Sequence, residues 1–326
     1  MQVDSSGGIA YTIDIYVGEG KVAVPVLVDT GSADIWVSAS PCKNCTDAKM
    51  VDTKITSTDG CKLVSKGYGS GSVDGCLVST DVSLGRYSLS NYPILAARDM
   101  RGFDGKYMSG ILGLAMRNMA LSNQSPIDLL FSSGIISSAE VGFYLARDGD
   151  ESELVLGNPH DSHHADQTKK VQLSKKGSDG LYRVNLESFV SHGQPINSEG
   201  ANLQSIEVII DTGTTNILLP EHMLEPIYNA LKGHKDVNQN YWVAPCKRPN
   251  DANELLGLNF GGTVFNLKWE DLVIASSSSK SQYCPLRIQN TPADDYLLIG
   301  SAFLHNVYHV VNVDSGEITF YGLTDA

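Results

Sequence analysis

Two short stretches of this chain share one plan, and that duplication limits what the chain can fold into. Val26 to Val37 reads V-L-V-D-T-G-S-A-D-I-W-V, and Val208 to Leu219 reads V-I-I-D-T-G-T-T-N-I-L-L. In each, three apolar β-formers run into a carboxylate, and a Thr, a Gly and a hydroxyl residue then turn the chain. That order describes a buried strand presenting Asp29, or Asp211, from a tight loop. One such loop is ordinary, because Asp and Gly are common turn residues. Two with matching flanks are not. A further pair strengthens the repeat: Gly110-Ile111-Leu112-Gly113-Leu114-Ala115 follows the first loop and Leu297-Leu298-Ile299-Gly300-Ser301-Ala302 follows the second. Asp29 precedes Gly113 by 84 residues and Asp211 precedes Gly300 by 89. The chain is therefore read as a duplicated unit with one Asp per half.

At 326 residues there is room for two halves, each with its own core. A net charge of −13 argues against a nucleic-acid partner, which needs basic patches. No apolar run reaches the length of a membrane span, so no membrane partner is expected. Six cysteines, an even number, favour an oxidising compartment over the cytosol.

Both D-T-G-[ST] loops, their separation, the apolar-apolar-Gly segments and Tyr68-Gly69-Ser70-Gly71 follow one order. In this the chain resembles the pepsin-like aspartic proteases over nearly its whole length. Within that family it looks most like secreted fungal enzymes, with the polyporopepsin type suggested by Ala97-Arg98-Asp99 and Gly102-Phe103-Asp104-Gly105. The resemblance implies a mostly β, bilobal fold: two pseudo-twofold-related β domains, a central cleft and short helices. Residues 1–165 would form the N-terminal lobe and 166–326 the C-terminal lobe. It further implies an aspartic endopeptidase acting in acid, with no cofactor, working as a monomer on polypeptide substrates. A prosegment and pepstatin-like inhibitors are the other implied partners. Met1 stands 28 residues before Asp29, about where the family's mature enzymes begin, so the secretion signal and prosegment are expected to lie outside this chain, and secretion or a vacuole is the expected location. The alternative is a catalytically inactive relative that binds or inhibits other proteins. Such relatives usually lose an Asp, a loop Gly or the flap Tyr, all of which are present here.

Carried onto this sequence, the catalytic pair is Asp29 and Asp211. Thr30 and Thr212 brace the two loops, with Gly31 and Gly213 beside them, and the Ser32 and Thr214 hydroxyls bond the neighbouring carboxylates. Capping of local turns is the plainer role for such hydroxyls. Gly67 to Ser72 reads as a glycine-rich hairpin tip. On the resemblance it is a flap, with Tyr68, Gly69 and Ser70 over the substrate and the Tyr68 hydroxyl bonded to Trp36. Leu27, Phe103, Met108 and Ile111 fall where the family lines its S1 pocket. All are apolar, so a bulky hydrophobic P1 residue is expected. Some fungal relatives accept basic P1 residues through an Asp where Ser70 stands. Ser301 occupies a position where the family often has Asp, which is expected to move the pH optimum.

Six cysteines permit 15 pairings. Cys42 and Cys45 match a small disulfide loop of the family and also read as C-x-x-C, but no second C-x-x-C completes a zinc site. Cys61 and Cys76 bracket the flap hairpin as candidate cross-strand partners. Cys246 and Cys284 stand where the family's C-terminal disulfide lies. His160, His163 and His164 sit in a polar loop without acidic or Cys ligands at repeat spacing, and are read as solvated, with no metal. Ser125 to Ser133 predicts a short amphipathic helix stopped by Gly134. Gln167 to Gly180, rich in Lys, Ser and Gly, reads as the crossing between halves. Pro220 opens a helix to about Lys232, stopped by Gly233, with Pro226 either a kink or a sign of a later start. Ser276 to Ser279 reads as a loop tip, and Asn44-Cys45-Thr46 and Asn123-Gln124-Ser125 are glycosylation sequons.

Overall fold

The structure, a computed structural model, describes residues 2–5, 10–52, 61–147, 152–197, 203–236, 240–250, 254–274, 281–291 and 296–324. The predicted loop tip at 276–279 lies outside them. About half of the described chain is strand and little of it is helix, because the sequence alternates apolar and polar residues in short runs bounded by Gly and Asx turns. Tyr11–Val17 is buried at every position except Asp14 and Tyr16, and it turns through Gly18 into Val22–Asp29.

Each half contains the same crossed arrangement. In the first, Val22–Asp29 runs parallel to Gly110–Gly113, with Asp29 opposite Gly113, while Ile35–Lys43 runs antiparallel to that same short strand. In the second, Gln204–Ile210 runs parallel to Leu298–Ile299, and Ile217–Leu219 runs antiparallel to it. The apolar-apolar-Gly segments thus fill the gap left where each Asp loop splits its two strands. Their glycines are needed for backbone approach rather than for a left-handed turn. A Cβ on Gly113 would come within 2.5 Å of Asp34 N, and one on Gly300 within 2.1 Å of Thr214 O. Gly113 N donates to Asp34 O and Gly300 N to Asn216 O, both at 3.1 Å.

The two halves are also sewn together. Tyr308–Asn312 pairs with Glu140–Tyr144, and Ile318–Leu323 pairs with Ala165–Leu173, so the C-terminal strands complete a 13-stranded sheet begun by the first half. The stretch 167–180, read as the crossing between halves, begins as strand. Val171 and Leu173 pack against the core while Lys170 and Gln172 between and beside them face water, an alternation that the polar composition masks. The predicted lobe boundary at 165/166 falls at the start of this shared strand.

The helix Pro126–Ser132 begins at Ser125, whose Oγ accepts from Asp128 N, and buries Ile127 and Leu130. Gly134 ends it at φ +69°. The helix Glu221–Ala230 starts directly after Pro220 and continues through Pro226. Only the bond to His222 O is lost to that proline, and Tyr228 and Ile227 on the same face are fully buried. The stop differs from expectation: Lys232, at φ +58°, takes the left-handed position. Gly233 is required instead for close approach, since a Cβ there would lie 2.4 Å from Val243 O.

Candidate active site

Parallel pairing with Gly110–Gly113 and Leu298–Ile299 delivers the two Asp loops to one place, where four hydrogen bonds cross between them. Thr30 N donates to Thr212 Oγ1 at 3.1 Å and Thr212 N donates to Thr30 Oγ1 at 3.0 Å. Each hydroxyl then donates onward, Thr30 to Ile210 O at 3.0 Å and Thr212 to Val28 O at 2.8 Å. Both threonines are buried, so every one of these groups depends on its partner. Threonine meets this need because one hydroxyl can accept and donate at once.

The carboxylates are held in the same mirrored way. Gly31 N donates to Asp29 Oδ1 at 2.8 Å, and Gly213 N to Asp211 Oδ1 at 2.9 Å. Ser32 Oγ donates to Asp29 Oδ2 at 2.5 Å, and Thr214 Oγ1 to Asp211 Oδ2 at 2.6 Å. The loop glycines explain themselves at this point. A Cβ on Gly31 would sit 2.8 Å from the Asp211 carboxyl, and one on Gly213 would sit 2.4 Å from Asp29 Oδ1. Any side chain there would push the two acids apart.

Asp29 and Asp211 are 5% and 8% exposed and lie close enough to perturb each other's charge. Burial first, and then the charge of Asp211, push the Asp29 carboxyl well above the usual carboxylate range, against the pull of the Ser32 and Gly31 donors. Two acids so placed retain one proton between them.

Lys62–Gly67 and Ser72–Leu84 form a hairpin whose tip is closed by Tyr68 N donating to Gly71 O at 2.7 Å, with Gly69 and Ser70 exposed. Tyr68 packs edge-on against Phe103, and Trp36 also packs on Phe103, each at 5.6 Å between ring centroids. Leu27, Met108 and Ile111 complete this apolar cluster with Trp36 and Val73. The Tyr68 hydroxyl and Trp36 Nε1 are both buried beside Phe103, which packs on both rings. Burial, and then the charges of Asp29 and Asp34, push the Tyr68 phenol up, with Trp36 and Ser32 opposing, so its hydroxyl remains a donor.

One pair escaped the sequence reading. Lys66 Nζ, two residues before Tyr68, lies 2.7 Å from Asp34 Oδ2, and Asp34 Oδ1 accepts from Leu121 N at 2.8 Å. The flap strand is thereby tied to the first Asp loop. Nothing in the spacing of Asp34 and Lys66 announces this, since the contact depends on how the hairpin folds back. Ser301 is buried and its N donates to Thr214 O at 2.8 Å, one residue from the loop that holds Asp211.

All six cysteines are joined, Cys42 to Cys45, Cys61 to Cys76 and Cys246 to Cys284. Two of the loop histidines, His160 and His164, are not the solvated groups predicted, whereas His163 is exposed. His160 Nδ1 meets the Tyr321 hydroxyl at 2.6 Å and its Nε2 meets Glu140 at 3.1 Å. His164 stacks on Tyr144 with ring centroids 3.7 Å apart, and Glu153 lies beside it. The missing signal was Glu153, brought in by strand pairing rather than by sequence proximity.

The sequence model of the eukaryotic aspartyl protease family matches residues 10–322. This chain belongs to that family. It is an aspartic-type endopeptidase, and its mostly β, bilobal architecture is the family's. It is 26% identical to major aspartyl peptidase 1 of Cryptococcus neoformans var. grubii, over 94% of this chain and 68% of that protein. It is 28% identical to rhizopuspepsin-4 of Rhizopus niveus, over 95% of this chain and 76% of that protein. Human cathepsin D is 25% identical over 94% of this chain and 80% of its own length. No helix among the described residues is long and apolar enough to cross a membrane.

Proposed function

We propose that this aspartic endopeptidase cleaves polypeptides in acid by a water molecule activated between Asp29 and Asp211. The observation that carries the proposal is the mirrored cradle of the two acids, each held by its own loop N–H and hydroxyl and backed by the other loop's glycine. The ionised member of the pair takes a proton from the water as its oxygen attacks the peptide carbonyl carbon. The protonated member hydrogen-bonds the carbonyl oxygen and stabilises the tetrahedral diol. A proton then passes to the peptide nitrogen, the C–N bond breaks, and the dyad regains its single proton. One chain supplies both acids, so a monomer suffices.

Tyr68, Gly69 and Ser70 would close over the peptide, and the cluster of Leu27, Phe103, Met108 and Ile111 would take a bulky apolar P1 side chain. With no acidic residue at Ser70, peptides with Phe or Leu at P1 should be cut much faster than those with Lys. The lobes proposed are residues 1–165 and 166–326, meeting along the shared sheet. Three disulfides favour a secreted or vacuolar location. The test is digestion of an unfolded protein in acid with and without pepstatin. Pepstatin-sensitive cleavage with apolar P1 sites is the expected result. A folded sample that leaves the substrate intact, or a cleavage profile dominated by Lys at P1, would overturn this reading.

A further inference from the structure

Elsewhere on the shared sheet, three strands from Val22–Asp29, the strand Ser152–Leu156 places Glu153 directly opposite Tyr144. Directly paired residues project to the same face. His164 stacks on the Tyr144 ring, interplanar angle 11°, which fixes its imidazole over that face and puts its Nε2 4.0 Å from Glu153 Oε2. The ring of His163 lies 3.9 Å from that of His164, and the ligand atoms of Glu153, His163 and His164 all fall within 4.8 Å of one another.

The backbone on which these side chains stand is fixed. Thr324 N donates to His164 O at 3.2 Å and Thr324 Oγ1 to His163 O at 2.9 Å, tying the segment to the end of the last strand. Ser162 Oγ donates to Glu153 Oε2 at 3.2 Å and orients the carboxylate. Two imidazoles and a carboxylate are the donor set that tetrahedral Zn²⁺ takes when its fourth position is left to water. Ligand atoms around such an ion lie about 3.4 Å apart at bond lengths near 2.1 Å. His163 is exposed, and rotation of its side chain together with a small shift of the Glu153 carboxylate toward His164 would close the remaining distances.

We propose that Glu153, His163 and His164 bind a zinc ion. The ion would clip the segment that passes from the first half to the second onto the strand Ser152–Leu156, away from the cleft.

The test is calorimetric titration of the full chain with zinc chloride at about pH 7.5, where free imidazole is mostly neutral. Glu153→Gln and His163→Asn are the variants. His163 is exposed and its backbone contact survives substitution, so that variant should fold and keep its acid proteolysis. The expected result is one zinc per chain, weakened roughly tenfold or more in each variant, with zinc raising the melting temperature of the unsubstituted protein only. Absence of zinc binding, or equal binding by both variants, would overturn the proposal.

Discussion

Asp29→Asn should change how stability depends on pH, and the size of the change follows from two buried groups. Burial and the neighbouring charge of Asp211 push Asp29 up from 3.8 to about 8. The native state therefore keeps a proton that the unfolded chain gives up above 3.8. This contribution is complete below 3.8 and is lost as pH rises toward 8. His309 works in the opposite sense. It is fully buried, stacked on Phe143, and burial lowers it to about 3 from 6.5. The native state keeps it neutral while the unfolded imidazole takes a proton, so its contribution is complete above 6.5 and is lost as pH falls toward 3. One proton of difference changes stability by about 1–2 kcal/mol per pH unit in either direction. The two slopes offset each other between about pH 4 and 6.5, and above 6.5 the dyad acts alone and stability falls. In Asp29→Asn the falling slope is gone, leaving a rise to 6.5 and a plateau beyond. Urea unfolding midpoints of both proteins from about pH 4 to 8 give the comparison. A difference that stays constant across that range would refute the reasoning.

Three other substitutions probe the frame. Thr212→Val keeps the shape but leaves the buried Thr30 N and Val28 O without partners, and should cost about 2–5 kcal/mol in denaturant unfolding. Arg147→Met leaves the buried Asp271 without its two-pronged partner at 2.8 and 2.5 Å, and should cost about 3 kcal/mol; restoring part of this by adding Asp271→Asn would confirm that the stranded charge is the cause. Burial pushes the Asp271 carboxyl up, yet His305 and Arg147 together hold it below its usual value. Lys66→Met frees the flap strand from Asp34 and should lower kcat/KM roughly tenfold, equivalent to about 1.4 kcal/mol, with little effect on unfolding.

The two Asp loops were legible because their chemistry is local. The strand, the carboxylate and the turn are consecutive, and a repeat shows itself without knowledge of the fold. The purpose of Gly113 and Gly300 was less visible. Their role is to let another strand's backbone come within bonding distance, and only the crossed pairing shows which backbone. Contacts set by sheet register were not legible. Lys66 meets Asp34, and Glu153 meets His164, through hairpins and strand pairings that no short spacing encodes. The strand at the start of 167–180 was hidden because exposed Lys170 and Gln172 alternate with Val171 and Leu173, so composition suggests a linker while periodicity describes an edge strand.

The measurement closest to the central claim is kcat/KM for a peptide with Phe at P1, followed from about pH 2.5 to 8 for the unsubstituted protein, Asp29→Asn and Asp211→Asn. A pair that works with one shared proton gives a bell-shaped profile whose alkaline limb marks loss of that proton. Either Asn substitution should remove nearly all activity at every pH, since each acid holds a distinct half of the proton exchange. Full activity persisting past the alkaline limb, or an Asn variant that retains the unsubstituted rate, would contradict the account.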